Sequence, residues 1–118
     1  MARRAITLVA ERGGQSTGFV VVEPGSFATA YISAIAVLEE ARGEGIGRAL
    51  VRAAEQLARA EGAVQMALTT ADSNVAALAL FLRSGFRRGS SGAGRYPRGQ
   101  RTVRLVKHLG RKAPDSKP

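Results

Sequence analysis

Three glycines stand at alternate positions in the stretch ARGEGIGRAL, residues 41–50. Glycine inside regular structure costs roughly 0.5–1 kcal/mol relative to alanine, so this spacing indicates that something must approach the bare backbone. The stretch follows the apolar run AYISAIAV and precedes a helical pattern, which puts Gly43, Gly45 and Gly47 at a strand-to-helix junction. Amide groups in the first turn of a helix are unpaired and attract anions. The spacing therefore predicts a site for a phosphate-bearing ligand.

Two familiar phosphate-binding motifs do not fit this stretch. The phosphate loop of nucleotide triphosphatases ends in Gly-Lys-Ser/Thr, whereas this chain has Gly47, Arg48 and Ala49 at that point. The dinucleotide fingerprint opens a βαβ unit, whereas here a long antiparallel pattern precedes the glycines. Both of these nucleotide-binding classes are therefore excluded.

Other kinds of catalytic centre lack the residues they would need. The chain has no cysteine, which excludes disulfides, thiolate metal sites and cysteine nucleophiles. Its single histidine, His108, cannot form a histidine metal cluster or a convincing serine triad, and we interpret it as an ordinary strand or surface residue. No metal site is expected.

The elements that position the glycines follow from hydrophobic patterning. Two β-rich runs flank a hairpin turn at Gly13 and Gly14, and a third run follows the turn at Pro24 to Ser26. Apolar residues then recur at helical spacing up to Gly62, with a Glu55–Arg59 pair expected on the exposed side of that helix. The remaining elements are a strand over 63–70, a short apolar helix over 75–84, expected to be buried, and a last strand over 100–109. The fold class is α+β, with a mixed, mostly antiparallel sheet flanked by helices.

The positive charge is concentrated in the last third of the chain. The formal net charge is +9, and residues from Arg83 onward hold eleven Lys or Arg against Asp115 alone. Such a surface attracts polyanions, whether a phosphate-bearing cofactor, an acidic protein or nucleic acid. No apolar stretch approaches the ~20 residues of a membrane span, and no export signal is visible, so a soluble, cytoplasmic protein without membrane contact is expected.

Two motifs together resemble the GNAT superfamily of acyl-CoA N-acyltransferases. The segment IAVLEEARGEGIGRAL is similar to that family's cofactor-binding strand, turn and helix, with Arg42, Gly45 and Gly47 matching its Arg/Gln-x-x-Gly-x-Gly/Ala core. Further along, NVAALALFLRSGF resembles its second signature, an Asn before a short helix that closes with Gly-Phe. The resemblance covers roughly residues 5–109, which we interpret as a single domain (1–109) followed by a flexible basic tail (110–118).

The resemblance implies that acetyl-CoA is the co-substrate. Its pyrophosphate would lie on the amides of the glycine stretch, and its pantetheine arm would pair with backbone where two strands diverge. Asn74 would bind the arm from the other side. The implied contact residues are Ile35, Ala36, Val37, Arg42, Gly43, Glu44, Gly45, Ile46, Gly47, Arg48, Asn74 and Phe81.

The family's chemistry is a direct attack by a neutral amine on the thioester, in a ternary complex. Many members carry a Glu and a Tyr that handle protons, but this chain has Thr69 and Phe81 at those positions. Neither can do that work, because Thr69 is no base at neutral pH and Phe81 has no proton to donate. Ser84, Tyr31 and Tyr96 are the candidate proton donors that remain.

The chain also begins later than the family pattern. Members usually open with a strand and two helices that wall the acceptor pocket, and this sequence resembles an N-terminally shortened member. Uncovered apolar surface and a free sheet edge would then favour a homodimer. The expected function is acetyl transfer to an amine, on a small molecule or a protein. The alternatives are a non-catalytic acyl-CoA-binding or regulatory module and, less favoured, a nucleic-acid-binding protein with an Arg/Gly-rich segment over 87–101.

Overall fold

The computed structural model describes residues 4–89, 95–96 and 100–110. Within them the chain forms one seven-stranded sheet, two α-helices and one 3-10 turn. In chain order these elements are β1 (Ile6–Arg12), β2 (Gln15–Pro24), β3 (Thr29–Val37), the 3-10 turn (Glu39–Ala41), α1 (Ile46–Ala60), β4 (Gln65–Ala71), α2 (Val75–Arg83), β5 (Arg87–Arg88), β6 (Arg95–Tyr96) and β7 (Gln100–His108).

The sheet is mixed, and its strand order places one parallel pair at the centre. The order is β1-β2-β3-β4-β7-β5, and β6 pairs with β7. All neighbours are antiparallel except β3 and β4, which α1 connects. The expected α+β class, with a mostly antiparallel sheet flanked by helices, is confirmed.

The first hairpin forms where the sequence predicts it. Gly13 and Gly14 have φ of +58° and +83°, the left-handed conformations that a tight hairpin turn needs and that glycine adopts without a steric penalty. At the next turn the same region of φ is occupied by Phe27 (+57°) and Ala28 (+56°), where a side chain makes that conformation costly. The Phe27 side chain is 95% exposed, so packing does not offset that cost.

Both helices pack on one face of the sheet and share its core. Buried side chains of α1, such as Leu50 and Val51, belong to the same cluster as Phe81 of α2 and as Val20 and Leu105 on the strands. Alternation along each strand directs every second side chain into this core. The other strand residues lie on the opposite face, where Val9 is 51% exposed and Phe19 is 38% exposed.

Two expectations about the helices are wrong. Helix α2 is not buried: Phe81 is its only buried residue among those described, and Val75 is 73% exposed, because this short helix covers the core with one side alone. Glu55 is buried and pairs with Lys107, while Arg59 donates to the carbonyl oxygen of Leu109. The expected Glu55–Arg59 pair is therefore absent from the contacts of the described residues.

No described helix has the length and apolar character needed to cross a membrane. Of the expected basic tail over 110–118, residues 111–118 lie outside the described part of the chain.

Candidate active site

The glycine stretch forms an open turn at the start of α1. Gly43 and Gly45 both have φ of +82°, and a Cβ placed on either would meet no heavy atom within 4 Å. Glycine is required here by the backbone conformation, and open space lies beside the turn. Glu44, between them, forms an ion pair with Arg12 that joins the turn to the first hairpin.

The first turn of α1 leaves amide groups unpaired and aimed out of the helix. Gly45 is the N-cap and supplies no side-chain acceptor, and the first intrahelical bond comes from Ala49 N–H to the Gly45 carbonyl oxygen, at 3.0 Å. The amides of Ile46, Gly47 and Arg48 therefore have no intrahelical acceptor. No acidic residue occupies this first turn, and the nearby carboxylate of Glu44 is paired with Arg12, so the positive end of the helix dipole favours an external anion.

Gly47 lies where α1 passes beside α2. It lies inside α1, and a Cβ there would come 3.4 Å from both terminal methyl carbons of Leu80 on α2. This is ordinary van der Waals contact, so packing against Leu80 does not by itself require glycine at this position. Arg42, before the turn, donates from Nε to the Val37 carbonyl oxygen at 3.2 Å, which fixes the end of β3.

Strands β3 and β4 diverge and leave a gap that opens beside this turn. Their parallel pairing covers three residue pairs and ends at Tyr31 and Ala67. Beyond that point residues 32–37 of β3 pair with β2 alone, and β4 pairs with β7 along its whole length. A bulge in the β2–β3 pairing, where Val21 pairs with Ala34 but Val22 with Ile32, bends β3 where the gap begins.

Two residues of β3 present backbone groups to the gap. Leu38 N–H donates to Thr17 on the β2 side at 2.8 Å, and the direction of backbone groups alternates along a strand. Ala36 therefore points toward β2, whereas Ile35 and Val37 point away from it and into the gap. An extended ligand bearing amides would find hydrogen-bonding partners there.

Asn74 stands at the start of α2 as its N-cap. Its Oδ1 accepts from the Ala77 amide at 3.1 Å, so the side-chain carbonyl satisfies the helix end. This capping role explains the residue type independently of any ligand. The Asn74 side chain is exposed, and its amide nitrogen stays available.

Tyr31 lies where the gap begins, on the face of the sheet away from the helices. It is half-buried, and the guanidinium carbon of Arg104 lies 5.9 Å from the centroid of its ring. A Cβ on Gly25 would collide with the same ring, so Gly25 makes room for it. Tyr31 is thus held between the β2–β3 turn and β7, and it carries a hydroxyl group at the last paired residue of β3.

The other two candidate donors, and the two residues that replace the family's usual Glu and Tyr, are placed differently. Ser84 closes α2, and its hydroxyl already donates to the Leu80 carbonyl oxygen at 2.9 Å. Phe81 is 1% exposed and packs edge-on against Phe86, with ring centroids 5.2 Å apart. Thr69 is exposed and lies opposite Arg104 in the β4–β7 pairing. For Tyr96 the described backbone pairs with Gln100, and its side chain lies outside the described residues.

A polar pocket that sequence reasoning missed lies between the two helices. It has a volume of about 190 Å³ and is lined by Arg48, Val51, Arg52, Glu55, Arg83, Ser84 and Lys107. At its floor Lys107 Nζ donates to Glu55 Oε1 (3.1 Å) and Oε2 (3.0 Å) and to the Ser84 carbonyl oxygen (2.7 Å). The Arg48 and Arg52 spacing at i and i+4 was a visible sign that both side chains share one face of α1.

The part of the chain that the structure describes holds no group of three or more His, Cys, Asp or Glu residues placed to bind a metal ion. The open glycine turn, the unpaired amides and the backbone edge of β3 instead suit a long ligand that carries phosphate at one end and amides along its length.

Comparison with known proteins agrees with this geometry. The sequence profile of the acetyltransferase (GNAT) family matches residues 2–86. A search of curated proteins found no match. An IAA acetyltransferase from Bacillus cereus ATCC 14579 is 30% identical with a TM-score of 0.81, and the alignment covers 89% of this chain and 78% of that one.

Two further solved structures were determined with the co-substrate or its product bound. A protein from Bacillus anthracis described as a streptothricin acetyltransferase, in complex with acetyl coenzyme A, is 27% identical with a TM-score of 0.81, covering 88% of this chain and 62% of that one. A Bacillus subtilis acetyltransferase in complex with CoA is 26% identical with a TM-score of 0.77, covering 89% and 77%. Acetyl-CoA is accordingly the co-substrate, and the chain belongs to the GNAT family of acetyltransferases.

Proposed function

We propose that this protein transfers the acetyl group of acetyl-CoA to an amine, on a small molecule or a protein, by direct attack in a ternary complex. The observation that carries the proposal is the gap between β3 and β4, which opens beside a glycine turn with unpaired amides. The free edge of β3 suits the amides of the pantetheine arm of CoA, and the unpaired amides at the start of α1 suit its pyrophosphate. Family membership supplies the reaction class.

The pyrophosphate is proposed to lie on the amides at the start of α1. The turn residues around it are Arg42, Gly43, Glu44, Gly45, Ile46, Gly47 and Arg48. Three free amides and the helix dipole favour an anion there. The open space beside Gly43 and Gly45 supports this placement, because a side chain on either glycine would occupy it.

The pantetheine arm is proposed to enter the gap and pair with β3. The backbone groups of Ile35 and Val37 point into the gap and are the proposed hydrogen-bonding partners. Ala36 lies between them and holds this part of β3 against β2. The exposed amide nitrogen of Asn74 is proposed to reach the arm from α2. Phe81 is proposed to contribute from the core beneath α2 by fixing the position of that helix, since its ring is buried.

The chemical step needs a neutral amine, a polarised thioester carbonyl and a proton for the departing thiolate. The amine nitrogen bonds to the acetyl carbon, the carbon–sulfur bond breaks, and the amine loses a proton to water or a nearby base. We propose that Tyr31 donates the proton to the thiolate. Its position at the start of the gap supports this role, as does its confinement by Gly25 and Arg104.

Ser84 and Tyr96 are weaker proposals for the same role. The Ser84 hydroxyl is engaged with the Leu80 carbonyl oxygen, and the residue lines the polar pocket between the helices. For Tyr96 the support is the sequence alone. A thiol is a tolerable leaving group even without a strong acid, because its ordinary pKa is about 8.5.

The acceptor is proposed to approach the face of the sheet that the helices leave open. That face is apolar around Val9 and Phe19, and it holds a groove of about 360 Å³ next to β1. We propose that a second copy of the chain packs on the apolar part of this face around Val9 and Phe19 and completes the acceptor groove, which would make the working unit a homodimer. The cytoplasmic location stays a prediction from the sequence.

A non-catalytic acyl-CoA-binding module is the second candidate function. The observations that favour it are the buried Phe81 ring and the engaged Ser84 hydroxyl, because both remove proton donors from the α2 side of the gap. A nucleic-acid-binding role stays a third, less favoured alternative. It depends on the Arg/Gly-rich segment, part of which lies outside the described residues.

One measurement separates these functions. Release of free CoA from acetyl-CoA is followed with a panel of amines, peptides and basic proteins as acceptors. Turnover above the rate in buffer with any acceptor supports the enzyme. Tight binding of acetyl-CoA with no turnover on every acceptor supports the binding module, and failure to bind acetyl-CoA overturns both.

A further inference from the structure

The pocket between α1 and α2 is strongly cationic. Its lining holds Arg48, Arg52, Arg83 and Lys107 against the single carboxylate of Glu55. The formal charge of the lining is therefore three positive. A pocket of this size and polarity suits a compact polar group rather than an apolar side chain.

At the floor of the pocket the charges of Lys107 and Glu55 cancel each other, so no carboxylate remains to balance the charges of the arginines. Lys107 Nζ has three protons and donates them to three acceptors, two of which are the carboxylate oxygens of Glu55. Neither member of this pair is free to bind a further ion. Among the described residues, Arg48, Arg52 and Arg83 have no ion pair and no side-chain hydrogen bond.

The three arginines are exposed, and their like charges repel weakly across the pocket. Arg48 and Arg52 lie at i and i+4 on α1, where like charges repel, and Arg83 in the last turn of α2 adds a third positive charge. A multiply charged anion would relieve this repulsion. Guanidinium groups suit a phosphate, because they present several donors in a planar array.

The pocket is continuous with the proposed pyrophosphate site through Arg48. The amide of that residue is one of the three unpaired amides of α1, and its side chain lines the pocket. Arg52 follows one turn along the helix, about 6 Å further from the glycine turn. A second phosphate carried by the same ligand, one sugar away from the pyrophosphate, falls within reach of this pocket.

We infer that the pocket formed by Arg48, Arg52 and Arg83 binds a phosphate monoester, the 3′-phosphate on the ribose of CoA. The inference rests on the proposed function, since it takes the pyrophosphate to lie on the start of α1. It makes the two arginines beyond the turn, Arg52 and Arg83, specificity-determining residues. They would distinguish CoA from the same molecule without its 3′-phosphate.

The test compares CoA with dephospho-CoA by titration calorimetry. The parent protein is expected to bind dephospho-CoA about tenfold more weakly, and the difference should shrink as salt screens the exposed guanidinium groups. The Arg52→Gln/Arg83→Gln variant, which keeps only Arg48 of the three arginines, should lose most of this preference. The matched control is Arg87→Gln/Arg88→Gln, which removes the same charge from exposed residues of β5 outside the pocket and should keep the preference.

Each outcome bears on a different claim. Equal affinity of the parent for CoA and dephospho-CoA would overturn the 3′-phosphate site while leaving the proposed function intact. An undiminished preference for CoA over dephospho-CoA in Arg52→Gln/Arg83→Gln would likewise overturn the 3′-phosphate site. If the parent binds neither ligand, the proposed function itself is wrong. Thermal unfolding of each variant shows whether the fold is retained, and the two-ligand comparison in the parent does not depend on any variant folding.

Discussion

Lys107 Nζ donates to both carboxylate oxygens of Glu55, although 52 residues separate the two positions in the chain. The pair joins β7 to α1, and the bond from Lys107 to the Ser84 carbonyl oxygen adds the end of α2. Three elements around the pocket therefore meet at one ammonium group. The exposed fractions of the two side chains are 25% for Lys107 and 9% for Glu55, so the pair is largely removed from water.

Replacing Lys107 with Met should destabilise the protein strongly. The change leaves a buried carboxylate without its partner, which typically costs 3–5 kcal/mol; the partial exposure of Lys107 lowers our expectation to about 2–3 kcal/mol. The double variant Glu55→Leu/Lys107→Met should recover most of that loss, because it also removes the stranded charge. Urea unfolding of the parent, both single variants and the double variant measures the coupling. Additive losses across the cycle would contradict the pairing.

Replacing Gly45 with Val should weaken acetyl-CoA binding at least about tenfold. The side chain would fill the open space beside the proposed pyrophosphate site. The positive φ also strains the turn, so Gly62→Val is the control: Gly62 has φ of +92°, equally open surroundings, and a place just beyond the other end of α1. Calorimetric titration should show near-parent affinity for Gly62→Val. If Gly45→Val and Gly62→Val bind acetyl-CoA equally well, the pyrophosphate does not lie on the glycine turn.

Replacing Tyr31 with Phe should lower kcat on the true acceptor by about 10²-fold, with little change in acetyl-CoA affinity. The hydroxyl is lost while the ring keeps its contacts with Arg104 and Gly25. Ser84→Ala is the comparison, and we expect its kcat to stay near that of the parent, because its hydroxyl serves the end of α2. If Ser84→Ala lowers kcat much more than Tyr31→Phe does, Ser84 rather than Tyr31 is the proton donor.

Replacing Phe27 with Gly should stabilise the protein by about 0.5–1 kcal/mol. The left-handed conformation costs a residue with a side chain about 1–2 kcal/mol, and part of the gain is offset by the greater chain entropy of glycine. The Phe27 side chain is almost fully exposed, so little packing is lost. Ser26→Gly adds the same flexibility without relieving a positive φ and should not stabilise. Chemical denaturation that ranks the two variants equally would argue against strain at Phe27.

Local patterns in the sequence were sufficient for the order of the five long strands and both α-helices and for the position of the glycine turn, but not for the two-residue strands β5 and β6. Alternation marks the strands, helical spacing marks α1, and the left-handed residues Gly13, Gly14, Gly43 and Gly45 lie in the predicted turns. These features depend on residues close in the chain. The same locality explains why the bulge beside Ile32 and the strained conformation of Phe27 were not foreseen, since ordinary residue types occupy both places.

The contacts between distant residues could not be read from spacing. Glu55 has Arg59 four residues away as a plausible partner, and nothing local indicates that the helix turns Glu55 toward Lys107 instead. In the same way, the packing of Leu80 of α2 beside Gly47 could not be read from the sequence. The cationic pocket was missed for this reason as well, because its lining comes from both helices and β7.

The early end of the β3–β4 pairing also affects how the domain holds together. Three residue pairs link the half of the sheet built from β1 to β3 with the half built from β4 to β7, and these pairs lie at one end of the interface. Hydrogen exchange of amides along the gap should therefore be faster than in the neighbouring antiparallel ladders. A ligand that pairs with Ile35 and Val37 would add hydrogen bonds along this edge, so acetyl-CoA should stabilise the fold in proportion to the logarithm of its concentration and slow exchange of the amides along the gap.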